Sequence, residues 1–208
     1  MPRKKSKKNY QITVSFNKLL IAVIFFVGLF FSGIYYVNHR TYDVYNQTNV
    51  NVKHKNFINK IIPSAYRAQR KYNILASVSI AQAILESDWG TSGLSVKYNN
   101  LYGMKTSIHD SDAVNLSTQE YVNGQFITTT GRFKVYQSWD ESVLAHAALL
   151  KNGTSWNPQQ YQDVVNSDNY VEAAAGLQSD GYATDPSYTK KIIQIIEKYR
   201  LNQYDKLK

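Results

Sequence analysis

The sequence predicts an α+β domain, mostly helical with a small antiparallel β-hairpin lobe, preceded by one transmembrane helix. Three observations predict it. Leu19–Val37 is a run of nineteen residues without a charge. Apolar residues recur at helical spacing from Phe57 to Leu85 and again from Trp139 to Tyr199. Between Met104 and Tyr136 the composition shifts to Thr, Val, Phe and Tyr in short alternations, the pattern of half-buried strands. Helices, then a hairpin, then helices again leave a cleft to be expected between two lobes.

The chain has 208 residues, no cysteine, and 24 Lys and Arg against 15 Asp and Glu, a formal charge of +9. Six of the basic residues (Arg3, Lys4, Lys5, Lys7, Lys8, Lys18) lie in the first eighteen positions, which hold no acid, so the remainder carries only +3. The charge sits in a tail and not on a folded surface, which argues against a nucleic-acid partner. The absence of cysteine excludes disulfide frameworks, thiolate metal sites and cysteine nucleophiles.

At about 1.5 Å per residue, Leu19–Val37 matches the roughly 30 Å hydrocarbon core of a bilayer. It is longer than the apolar region of a cleavable signal peptide and lacks a good small-x-small site, so an uncleaved anchor is expected. The basic flank then places residues 1–18 in the cytoplasm and everything after Val37 on the extracellular side of a bacterial cell membrane. Residues 38–55 are polar, Asn-rich and without apolar periodicity, and read as a linker. Residues 56–208 are long enough for one domain with a real core.

Within that domain the first helical pattern is Phe57, Ile58, Ile61, Ile62, Ala65, Tyr66, with Pro63 inside it. A second pattern runs through Ile74, Leu75, Val78, Ala81 and Leu85, with Asn73 as its expected N-cap. It is apolar nearly all round, so it should be the buried central helix. Asn123-Gly124 is a preferred pair for a two-residue hairpin turn. Ser138 and Glu141 form a capping box for a helix over Trp139–Lys151, and Gly153 stops it. Short helices are expected over Tyr161–Val165 and Tyr170–Leu177. Asp185-Pro186 should open the last helix, with its stripe Tyr188, Ile192, Ile195, Ile196, Tyr199.

Metal chemistry finds little support. His39, His54, His109 and His146 are scattered, no H-E-x-x-H is present, and His109-Asp110-Ser111-Asp112 lacks the glycine and distant Glu of a calcium loop. No metal and no cofactor is expected. Nor does a G-x-S-x-G elbow support a serine nucleophile. The carboxylates say more. Glu86 ends the buried helix beside Trp89, where the helix dipole and desolvation both raise a carboxyl pKa, as a general acid requires. Asp88 is a rival at the same corner, and an exposed helix-end Glu is the commoner fate. Glu120 lies on the expected hairpin beside Tyr121. It fits a second carboxylate across a cleft and equally a solvent-facing strand residue.

The run Ser77–Ser92, SVSIAQAILESDWGTS, followed by Asn99-Asn100-Leu101-Tyr102-Gly103-Met104-Lys105, resembles the glucosaminidase domains of glycoside hydrolase family 73, the mannosyl-glycoprotein endo-β-N-acetylglucosaminidase-like bacterial peptidoglycan hydrolases. Further matches are Thr118–Gly124, Arg132–Tyr136 and Gly181–Tyr188, in the family's order. The resemblance implies a lysozyme-like fold and hydrolysis of the β-1,4 bond between N-acetylglucosamine and N-acetylmuramic acid, with peptidoglycan glycan strands as partner. It implies Glu86 as general acid, Glu120 as second carboxylate, and Tyr182 as a cleft tyrosine. Trp89, Asn100, Tyr102 and Tyr121 fall in or beside motif positions and are carried as substrate-binding candidates. The second step stays open between water activated by Glu120 and attack by the substrate's own acetamido group. Two other readings remain beside the anchored autolysin-type hydrolase: a lytic transglycosylase on the same polymer, and a non-catalytic wall-binding protein.

Overall fold

A computed structural model describes the backbone over residues 16–122 and 125–205. The chain divides into two compact units, Met1–Val52 and Lys53–Lys208. Helix α1, Phe16–Tyr72, contributes to both. In the first unit its described side chains are exposed and locally paired: His39 bonds Asp43 one turn on at 3.0 Å, and Arg40 lies over the Tyr36 ring.

The expectation of a membrane-spanning helix is overturned, and with it that of a single-pass membrane placement. Among the described residues no helix is long and apolar enough to cross a membrane. The helix does not stop at Val37 but runs on through the polar residues 38–55, where the sequence suggested a linker. The basic tail up to Ser15 lies outside the described residues.

In the second unit α1 buries Phe57, Ile58, Ile61, Ala65 and Ala68 on one face and carries Pro63 within it. It ends at Asn73, whose positive φ of 59° and N–H bond to the Gln69 carbonyl close the helix. Asn73 was expected to open the next helix. Instead its side chain donates to the Val165 carbonyl at 2.6 Å, and α2 starts three residues later.

Helix α2, Ala76–Ser87, is the buried centre, with every side chain from Ala76 to Ile84 buried. Its first N–H groups are capped from a distance: Gln69 Oε1 accepts from Ala76 N, and the Asp205 carboxylate accepts from Ser77 N and Oγ. These bonds satisfy donors that would otherwise be orphaned in the interior. Asp88, at φ 49°, ends α2 in a left-handed cap. A short helix α3, Gly93–Tyr98, follows.

The hairpin lobe is formed by β1, Ala113–Val122, and β2, Gln125–Lys134, paired antiparallel from Ala113↔Lys134 to Val122↔Gln125. That register leaves a two-residue connection at Asn123-Gly124, which lies outside the described residues. Helices α4, Trp139–Asn152, α5, Gln162–Val165, α6, Tyr170–Ser179, and α7, Tyr188–Lys198, close the domain, followed by a 3₁₀ turn at Leu201–Tyr204. Ser138 Oγ accepts from Glu141 N at 3.2 Å as expected, while Glu141 reaches back to Gln137 N. The last helix begins later than Asp185-Pro186 suggested, because Asp185 accepts from Ser187 N and Oγ and holds a turn ahead of Tyr188.

Candidate active site

Glu86 lies on the last turn of α2, where the buried helix reaches a cleft of about 740 Å³. The opposite wall comes from Tyr182–Asp185 and from Tyr188 and Lys191 of α7, and the flank from Tyr102–Lys105. The side chain is open to solvent through this mouth. Its carboxyl is nevertheless packed closely enough that burial raises its pKa, against the opposing pull of the Tyr188 hydroxyl and the Lys191 charge.

Tyr188 is the direct hydrogen-bond partner of Glu86. Its hydroxyl donates to Glu86 Oε1 at 2.6 Å and accepts from the buried Gln82 Nε2 at 3.1 Å. The chain Gln82→Tyr188→Glu86 fixes the direction of each proton, so Oε2 is left as the carboxyl oxygen that can carry one. Lys191, one turn further along α7, is held by Asp185 at 2.6 Å.

Tyr182 and Tyr102 line the same cleft. Tyr102 is buried and donates to the Ser79 carbonyl at 3.1 Å. Tyr182 packs between Tyr161 and Tyr188, with ring centroids at 6.1 and 5.8 Å, and its hydroxyl meets His146 Nε2 at 3.0 Å.

The other sequence-predicted residues lie elsewhere. Asn100 is buried and bonds backbone only: its Nδ2 donates to the Met104 and Lys134 carbonyls and its Oδ1 accepts from Met104 N, all at 2.9 Å. It ties the cleft flank to the root of the hairpin. Trp89 stacks on His54 at 3.5 Å and 7°, and lines a second groove of about 430 Å³ with Asp88, Lys198 and Tyr199. The desolvation expected from Trp89 is supplied by the cleft walls instead. Glu120 sits on β1 opposite Ile127, and Tyr121 opposite Phe126; their side chains lie outside the described residues. From Ile127 to Lys134 is seven residues, on the order of 24 Å along an extended strand, so Glu120 belongs to the outer part of the lobe.

Sequence reasoning missed Tyr188, Gln82, Lys191 and His146 as site residues. Tyr188 stood in the apolar stripe of the last helix and Gln82 among the polar exceptions of the central one. Nothing local marks two residues 106 apart as partners. Among the described residues no three His, Asp or Glu side chains come close enough to share a metal ion.

Residues 62–201 match the family profile described as mannosyl-glycoprotein endo-β-N-acetylglucosaminidase. The exo-glucosaminidase LytG of Bacillus subtilis (strain 168) is 39% identical over 209 residues, covering 100% of this chain and 71% of that protein. A probable N-acetylmuramidase of Lactococcus lactis subsp. cremoris (strain MG1363) is 39% identical over 152 residues, 72% of this chain but 34% of that protein. The catalytic domain of the autolysin Auto from Listeria monocytogenes superposes with a TM-score of 0.68 at 38% identity, covering 74% of this chain and 88% of that one. With the profile spanning both lobes and the cleft between them, the chain belongs to the glucosaminidase family and is a glycoside hydrolase.

Proposed function

We propose that this hydrolase cuts peptidoglycan glycan strands at the β-1,4 bond between N-acetylglucosamine and N-acetylmuramic acid, cleaving within the strand. The observation that carries the reading is Glu86: a carboxyl with a raised pKa, opening into the cleft and bonded through one oxygen to a tyrosine that is itself anchored in the core. Such a group keeps its proton at a pH where an ordinary carboxylate has lost it, and can hand it from Oε2 to the leaving glycosidic oxygen. Tyr102 and Tyr182 offer the sugar aromatic surface and a hydroxyl. Glu120 on β1 is the candidate second carboxylate, with water activation by it and attack by the substrate's acetamido group as the two routes for the second step. The matched range includes both glutamates, and a relative named peptidoglycan hydrolase FlgJ in Salmonella typhimurium, 30% identical over 152 residues, supports peptidoglycan as substrate.

A second bond is kept in view because the Lactococcus relative, at the same 39% identity, is named an N-acetylmuramidase. Digestion of purified peptidoglycan by the full chain, with product ends identified by mass, tests the reading. A reducing N-acetylglucosamine end is expected. A reducing N-acetylmuramic end would move the cut to the other bond, and an anhydro end would make the enzyme a transglycosylase. Release of monomer units only from strand ends would replace internal cleavage by an exo mode.

A further inference from the structure

The ring of His146 is packed against Tyr102 and Tyr182, two of the residues that line the cleft. It lies on α4, is completely buried, stacks face to face on Tyr102 at 3.9 Å and 5°, and meets the edge of Tyr182 at 5.5 Å and 87°. Nε2 is 3.0 Å from the Tyr182 hydroxyl oxygen. Nδ1 is equally buried and has no hydrogen-bond partner among the described residues. Burial pushes the imidazole pKa down to about 3, so one nitrogen carries a proton and the other a lone pair.

The two tautomers differ in what they leave orphaned. With the proton on Nδ1, a buried N–H donor has no acceptor, and Nε2 accepts the hydrogen bond from the Tyr182 hydroxyl. With the proton on Nε2, the orphan is a bare lone pair, which interiors tolerate better than an unpaired donor. In that state Nε2–H donates to Tyr182 Oη. The tyrosine's own proton then has no acceptor among the described residues and is available to the cleft that its side chain lines.

We infer that His146 is a positioning residue: its Nε2–H donates to Tyr182 Oη and thereby turns the tyrosine O–H toward the cleft, where it donates to an oxygen of the bound glycan. Tyr182 is thus a fixed donor and not an acceptor, which selects for carbonyl or ether oxygens of the sugar over hydroxyls that would donate. The inference rests on the reading of the cleft as a glycan site, but its first test does not.

Nitrogen-15 NMR of the full chain, with labelled histidine and His146 assigned through the H146Q variant, reads the tautomer without substrate. The expected spectrum shows a protonated Nε2 and a bare Nδ1, unchanged between about pH 5 and 8 given the low pKa. A protonated Nδ1 overturns the proposal whatever the enzyme cleaves. The second test is turnover of purified peptidoglycan. H146Q, whose side-chain amide can still donate, should stay within about threefold of wild type in kcat, whereas H146L and Y182F should each lose roughly tenfold or more. The H146L/Y182F double variant should be no slower than either single one, because both remove the same directed proton. Additive losses, or H146Q as slow as H146L, would reduce His146 to packing. Should H146L not fold, as judged by circular dichroism, the H146Q turnover and the tautomer spectrum still decide. If Y182F cleaves normally while the tautomer is as expected, the fault lies with the substrate role of Tyr182 and not with the His146 geometry.

Discussion

The Tyr188 hydroxyl donates to Glu86 Oε1 at 2.6 Å across 102 residues of sequence, joining the last helix to the tail of the central one. The bond stabilises the ionised carboxylate, and burial destabilises it more. The pKa of the proposed acid is therefore raised, but held below what burial alone would set.

Tyr188→Phe should move that balance. Removing the hydroxyl takes away an influence that lowers the Glu86 pKa, so the pKa rises further. Since an acid works in its protonated form, the alkaline limb of the pH–kcat profile should shift to higher pH. The same change leaves the buried Gln82 Nε2 without its acceptor, at a cost of about 1–3 kcal/mol in stability by urea titration. An unshifted alkaline limb would detach Tyr188 from the acid.

Glu86→Gln should abolish proton donation while keeping the Tyr188 contact, since the amide oxygen still accepts. Peptidoglycan cleavage is expected to fall by about 10²–10⁴-fold with thermal unfolding nearly unchanged. Retained cleavage would remove Glu86 from catalysis and return the residue to an ordinary helix end.

Glu120→Gln tests the second carboxylate. If Glu120 activates water, turnover falls by about 10²-fold or more and the proton-donating limb of the pH profile stays where Glu86 sets it. A near-normal rate would favour the acetamido group of the substrate as the internal nucleophile.

Gly90 follows the two left-handed residues Asp88 and Trp89 and has φ +73°. A Cβ there would stand 2.5 Å from Trp139 Cη2 and 2.8 Å from Phe57 Cε2, both in packed rings. Gly90→Ala should destabilise the domain by about 2–3 kcal/mol from backbone strain and overpacking together. Calorimetry showing an unchanged Tm would contradict this packing.

Two surface carboxylates set an acid limit. Asp110 is held at about 2 by hydrogen bonds from Lys134 and Thr106, and Asp185 at about 2 by those from Lys191 and Ser187. Both pKa values lie below the unfolded value near 4, so the stabilisation is present above that pH and is lost as pH falls toward 2. The Asp110→Asn and Asp185→Asn variants should each show a flatter loss of stability between about pH 4 and 2 in acid titrations followed by circular dichroism.

The buried character of α2 was legible because Ala76 to Ile84 are apolar apart from Ser77, Ser79 and Gln82, and the capping box at Ser138 and Glu141 is local enough to read directly. The hairpin followed from alternation on either side of Asn123-Gly124. Asn73 misled because an Asn before an apolar run fits an N-cap and a left-handed terminus equally well. Leu19–Val37 misled because an apolar run reports hydropathy, and the helix around it runs on into polar residues.

What the sequence determined by itself was the succession of helices, hairpin and helices in the second unit, the place of Glu86 at the end of the central helix, and the family signature. These depend on periodicity and short-range spacing, which neighbouring residues encode. Only the tertiary structure decided which side chains meet: Tyr188 and Gln82 behind Glu86, His146 behind Tyr182, Asn100 as a clamp, and Trp89 on His54 instead of in the cleft. A hydrogen bond between distant residues is set by how helices pack, and no local pattern in the chain records it.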